Sequence, residues 1–201
     1  MNTPLKIPVF AVSLLFLCAS LQATTVTFTT TLSGPAEAVP NASPGIGEAT
    51  ATYNDIAHTL QLEIMFSGLL GTTMASHIHA ATLLPFTGAA GVATQTPSFA
   101  GFPLGVTSGT YSQSFDLTLA STYNASYLAN AMNGGSTATA EVSLITAMMD
   151  GKAYLNIHSS AFPSGEIRGF WQVPDSSSTL MLLLPVTLAI GLMRRRISSK
   201  V

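Results

Sequence analysis

His58-Thr59-Leu60-Gln61-Leu62-Glu63-Ile64-Met65-Phe66-Ser67 alternates without a break. Leu60, Leu62, Ile64 and Phe66 fall on one face of an extended chain, and Thr59, Gln61, Glu63 and Met65 on the other. Side chains of a strand point to opposite faces in turn, so this stretch predicts a strand with one buried and one solvated side. The pattern recurs upstream in Thr24–Ser33, where Val26, Phe28 and Leu32 oppose threonines. It recurs downstream in Tyr111–Leu119, where Phe115, Leu117 and Leu119 oppose Ser114, Asp116 and Thr118. Half-buried strands of this kind belong to antiparallel sheets. Gly34-Pro35, Gly68 and Gly71 mark turns between them. From Ala80 to Gly109 the chain is rich in Pro and Gly and lacks a period, which predicts one long loop. Residues 126–132 and 138–149 read as short helices, the second with Val142, Ile145 and Met149 at helical spacing and a stop at Asp150-Gly151. The expected class is all-β with minor helices, an antiparallel β-sandwich or barrel.

Both ends of the 201-residue chain look like address segments. At the front, Lys6 precedes an apolar stretch from Ile7 to Leu17 and then small and polar residues, the layout of a secretory signal peptide over residues 1–23. Cys18, the single cysteine, leaves with it, so the exported body has no disulfide and no thiolate chemistry. At the back, Val173-Pro174-Asp175-Ser176-Ser177-Ser178 is followed by an apolar run from Leu180 to Met193 and by Arg194-Arg195-Arg196. As a helix that run would span roughly 21 Å at about 1.5 Å per residue, short of a hydrocarbon core of roughly 30 Å. The arginines would stay cytoplasmic, leaving the body outside.

Residues 174–201 thus resemble the PEP-CTERM class of bacterial sorting tails in its VPDSG-type variant, with Ser177 where that variant usually carries Gly. The resemblance implies processing by an exosortase-like membrane protease after a transient stay in the inner membrane. The product would then reach the cell surface or extracellular matrix. The alternative is an ordinary C-terminal transmembrane helix.

Between the two ends, residues 24–173 suit one domain with a sizeable core. The cations there are Lys152 and Arg168, against eight acidic residues, a formal charge of −6. A body this acidic has no means of gripping a phosphate backbone, which excludes nucleic acid as a partner.

Polar residues with chemical potential gather late in the chain. In Lys152–His158, Leu155 and Ile157 point one way and Tyr154, Asn156 and His158 the other. The return strand Gly165–Gln172 sets Ile167 and Trp171 against Glu166, Arg168 and Phe170. Pairing apolar with apolar gathers Asn156, His158, Glu166 and Arg168 on one polar side, where Glu166 is expected to pair with Arg168. Upstream, His77-Ile78-His79 places two imidazoles on one face of a strand, about 6.6 Å apart along the backbone. Two histidines so placed can converge on one metal ion.

Four segments occur in order: Leu32-Ser33-Gly34-Pro35-Ala36-Glu37 with Val39-Pro40, His77-Ile78-His79, Gly151 to His158, and Pro163-Ser164-Gly165-Glu166-Ile167-Arg168-Gly169. Together they resemble the CHRD domain, a secreted module named for its occurrence in chordin. The match departs from the family at Ala38, which is inserted before Val-Pro, and at Ser159, where the family usually has Thr. The resemblance implies an immunoglobulin-like sandwich or barrel over residues 24–173, weakly similar to Cu/Zn superoxide dismutase. On that likeness His77, His79 and His158 would hold copper or zinc, and Arg168 would guide anions. Six histidines and an aspartate serve the two metals of that enzyme class, whereas this chain has four histidines, so turnover is not expected. Two functions remain open. One is a non-enzymatic cell-envelope or extracellular-matrix module, with exopolysaccharide or an extracellular protein as partner. The other is a secreted, redox-active metal-binding protein.

Overall fold

The structure, a computed structural model, describes residues 24–174. The signal peptide expected at 1–23 and the tail from Asp175 onward, with Arg194, Arg195 and Arg196, lie outside the described residues. No helix among the described residues is long and apolar enough to cross a membrane.

Seven strands form one antiparallel sheet curled into a half-barrel. They are β1 (Thr25–Ser33), β2 (Ile46–Asn54), β3 (Thr59–Ser67), β4 (Thr73–His79), β5 (Gly109–Asp116), β6 (Tyr154–Ser159) and β7 (Ile167–Phe170), in spatial order β4-β6-β7-β1-β2-β3-β5. The all-β antiparallel class expected from the alternation is the class observed. The inner face carries the core: Phe28 and Leu32 of β1, Leu60, Leu62, Ile64 and Phe66 of β3, Ile78, Leu155, Ile157, Ile167 and Trp171.

Strand β2 carries no strong sequence signal because its inward residues are Gly47, Ala49 and Ala51. Its register explains why. Ala51 sits between Phe28 and Leu62, and Gly47 between Leu32 and Phe66, so small residues fill the row between two rows of large ones. Strand β5 stops at Asp116, whose carboxylate accepts hydrogen bonds from the Thr118 amide and hydroxyl.

Two helices follow, α1 (Ala125–Leu128) and α2 (Thr137–Met149). The Ser136 hydroxyl caps α2 by accepting from the Thr139 amide. Its buried face is Ala140, Glu141, Leu144, Ala147 and Met148 with Ile145, whereas Val142 and Met149 are exposed. The apolar spacing read from sequence therefore selected the wrong stripe, because the true one contains a carboxylate. Glu141 is buried and accepts from the Tyr53 hydroxyl at 2.7 Å, and His58 Nδ1 lies 2.9 Å from it.

The long loop does two jobs. Its later half runs along the free edge of β4, where Ala93 N–H donates to the Ile78 carbonyl and Phe99 N–H to the Ser76 carbonyl. Edge strands left bare invite aggregation, and this segment covers one. Phe99 and Phe102 then enter the core beside Tyr111. The same loop also sets the carbonyls of Ala90 and Pro97 against the two histidine rings of β4.

Candidate metal centre

On the outer face, β4 supplies His77 and His79 and the adjacent β6 supplies His158. Register sets their proximity: Ala75 pairs with His158 and His77 with Asn156, so the three rings share one side of two neighbouring strands. One ligand nitrogen from each ring lies within 4.8 Å of the others. The Nε2 atoms of His77 and His158 are 3.0 Å apart.

Hydrogen bonds fix which nitrogen is free. His77 Nδ1 lies 3.1 Å from the Pro97 carbonyl, His79 Nδ1 2.8 Å from Ala90 and His158 Nδ1 2.9 Å from Pro163. A carbonyl only accepts, so each Nδ1 carries the proton, and in a neutral ring Nε2 is then a bare lone pair. Burial drives His77 down to about 4, with the neighbouring rings of His79 and His158 adding to the effect. Burial likewise takes His79 to about 4 and lowers His158. At neutral pH three uncharged imidazoles therefore turn lone pairs toward one another with no proton to share. His79 Nε2 is buried and has no hydrogen-bond partner. Convergent Nε2 lone pairs, each backed by a carbonyl on Nδ1, are what a histidine metal site presents. Imidazole donors suit copper and zinc.

Behind His79 stands a second layer. The Tyr154 ring lies parallel to it at 4.7 Å, and the Ala90 amide donates to the Tyr154 hydroxyl while the Ala90 carbonyl takes the His79 proton. The Arg168 guanidinium sits 4.7 Å from the centre of the Tyr154 ring. Arg168 is buried and donates to the carbonyls of Ala36 and Gly88. It is a packed cation rather than an exposed guide for anions.

Glu166 does not pair with Arg168. Arg168 faces Glu37 instead, Nε to Oε2 at 4.0 Å. Burial raises the Glu37 carboxyl to about 7 although Arg168 opposes the shift. Glu166 accepts from the Ser43 hydroxyl at 2.6 Å and from the amides of Leu70 and Gly71. Burial alone would push its carboxyl up, but the hydroxyls of Ser159 and Ser43 and these two amides outweigh that and hold it low. It ties together the loop after β1, the β3–β4 turn and the final hairpin. No local pattern links Glu37 or Ser43 to residues of that hairpin, so the sequence could not show either partner. Asn156 is buried with Oδ1 unpartnered. Val173 packs on the edge of the core, and Pro174 is the last described residue.

The glycines of the last motif are required by contact. A Cβ at Gly169 would collide with the Thr31 carbonyl. Gly165 has φ +130°, and a Cβ there would lie 2.7 Å from the Asn156 amide group and 2.8 Å from Glu37 Oε1.

The family model of the CHRD domain matches residues 28–171. Neither a curated protein nor a solved structure matches the chain.

Proposed function

Since the chain belongs to the CHRD domain family, which is typical of extracellular proteins, we propose that it serves outside the cytoplasm as a metal-binding module of the cell envelope or extracellular matrix. His77, His79 and His158 would hold one copper or zinc ion, which would supply a Lewis-acidic or redox-active centre when bound. The observation that carries this reading is the convergence of three neutral Nε2 atoms, one pair at 3.0 Å, with each Nδ1 committed to a carbonyl. Binding is the proposal; turnover is not part of it. Elemental analysis of the purified protein after separate equilibration with Zn²⁺, Cu²⁺ and, under reducing conditions, Cu(I) is expected to find one ion per chain with at least one of them. Metal-free protein would remove the reading.

The sorting layout of residues 174–201 supports delivery by an exosortase-like system, with a transient inner-membrane stage ending near Pro174-Asp175.

A second surface favours an added interaction role. A groove of about 560 Å³ crosses β1, β2, β3 and β5, lined by Thr29, Thr31, Glu48, Thr50, Glu63 and Ser112 among others, with no cation in its lining. Two carboxylates without a basic group repel a polyanion, and hydroxyls set among apolar surface from residues such as Ile64, Met65 and Tyr111 suit a neutral exopolysaccharide. Retention on neutral but not on anionic polysaccharide is the expected result, and equal retention on both would reject it.

A further inference from the structure

The charge balance around the three histidines bears on which ion they would select, and rests on the metal-binding reading above. The donors are three neutral imidazoles, and among the described residues no carboxylate or thiolate joins the cluster. The nearest fixed charge behind it is a cation. Arg168 lies against Tyr154, and Tyr154 lies against His79. Glu37, the acid facing Arg168, is buried and lies 4.0 Å from the Arg168 Nε, and it is not among the grouped ligand atoms. His77 is buried and His79 Nε2 has no hydrogen-bond partner, while His79 and His158 are each part-exposed.

An ion entering this site gives up water without gaining an anionic ligand. The cost of desolvating an ion grows with the square of its charge, so a dication pays about four times what a monocation does. Zn²⁺ can complete a three-histidine site with a water, but it would leave two positive charges beside a guanidinium with no anionic donor to offset them. A monovalent copper ion is content with three donors and leaves a single positive charge in place. Two facts point the same way: neutral donors with no anion among them, and a neighbouring guanidinium.

We infer that this centre is a cuprous site, selective for Cu(I) over Zn²⁺ and Cu²⁺. The selectivity comes from what the cluster lacks, an anionic donor, as much as from the imidazoles it has.

The test uses the full-length chain carrying Cys18→Ser, so that the single cysteine cannot compete for copper. Under anaerobic, reducing conditions Cu(I) is titrated in competition with a chromophoric chelator, and Zn²⁺ and Cu²⁺ are titrated separately. Cu(I) is expected to bind one per chain, tighter than Zn²⁺ by about a hundredfold or more. Adding His158→Asp supplies the missing negative donor and is expected to shift the preference toward Zn²⁺. Should Zn²⁺ or Cu²⁺ bind the Cys18→Ser chain as tightly as Cu(I), the cuprous inference is overturned while the three-histidine site stands. If no ion binds, the site itself is refuted. The Cys18→Ser comparison decides the matter even if the aspartate variant fails to fold.

Discussion

The Nε2 atoms of His77 and His158 face each other at 3.0 Å, a hydrogen-bond distance with no hydrogen to fill it. Their Nδ1 protons are engaged by Pro97 and Pro163, and burial disfavours a second proton on either ring. Two lone pairs at this separation repel unless a cation lies between them. His79 Nε2 is buried and unpartnered and belongs to the same group, so one metal ion would hold all three lone pairs together.

Metal should therefore stabilise the fold through these rings. At a free metal concentration a hundred times Kd, linkage gives about 2.7 kcal/mol of added stability. That gain is expected in the wild type and lost in each of His77→Ala, His79→Ala and His158→Ala, read as the shift in unfolding midpoint on adding metal. An unchanged shift in the variants would assign the rings a purely structural part.

Glu37 makes stability pH-dependent. Its carboxyl is raised from 4.5 in the unfolded chain to about 7 in the fold. The folded state thus holds the proton more tightly, and the contribution is complete below pH 4.5 and lost as pH rises through 7. Relative to Glu37→Gln, the wild type should lose up to about 3 kcal/mol between pH 4 and pH 8. Parallel melting profiles for the two proteins would contradict this.

Glu166 holds three segments by accepting from Ser43, Leu70 and Gly71. Glu166→Ala leaves these donors without a partner in a buried place, and a loss of about 3 kcal/mol or more is expected. Gly169→Ala drives a methyl into the Thr31 carbonyl and is expected to cost more than about 2 kcal/mol. Denaturant unfolding measures both, and near-wild-type midpoints would count against the contacts described.

Much of this architecture was legible in the residue pattern. Strands β1, β3 and β5 announce themselves because their inward residues are large and apolar. Strand β2 does not, since Gly47, Ala49 and Ala51 carry little hydrophobic contrast and make sense only between Phe28 and Leu62. The histidine cluster was half visible: His77 and His79 share a face by spacing alone, while His158 reaches them through the β4–β6 pairing. The ion pairs were not visible. Face-sharing suggested Glu166 for Arg168, but a carboxylate that already receives two backbone amides and a hydroxyl has no need of a guanidinium. Arg168 meets Glu37 through a loop whose path no local periodicity sets.

The proposed sorting step is separable from all of this. Replacing Pro174-Asp175 is expected to leave full-length protein in the inner membrane, detected by fractionation and mass. Release of the same shortened form from the altered chain would argue against processing at that motif.

X-ray absorption on the metal-loaded protein addresses the three-histidine centre most directly. The expected spectrum shows three imidazole nitrogens at about 2.0 Å from one ion, and fewer when His158 is replaced by Ala. A bound ion whose spectrum lacks imidazole scattering, or is untouched by that replacement, would contradict a centre built on His77, His79 and His158.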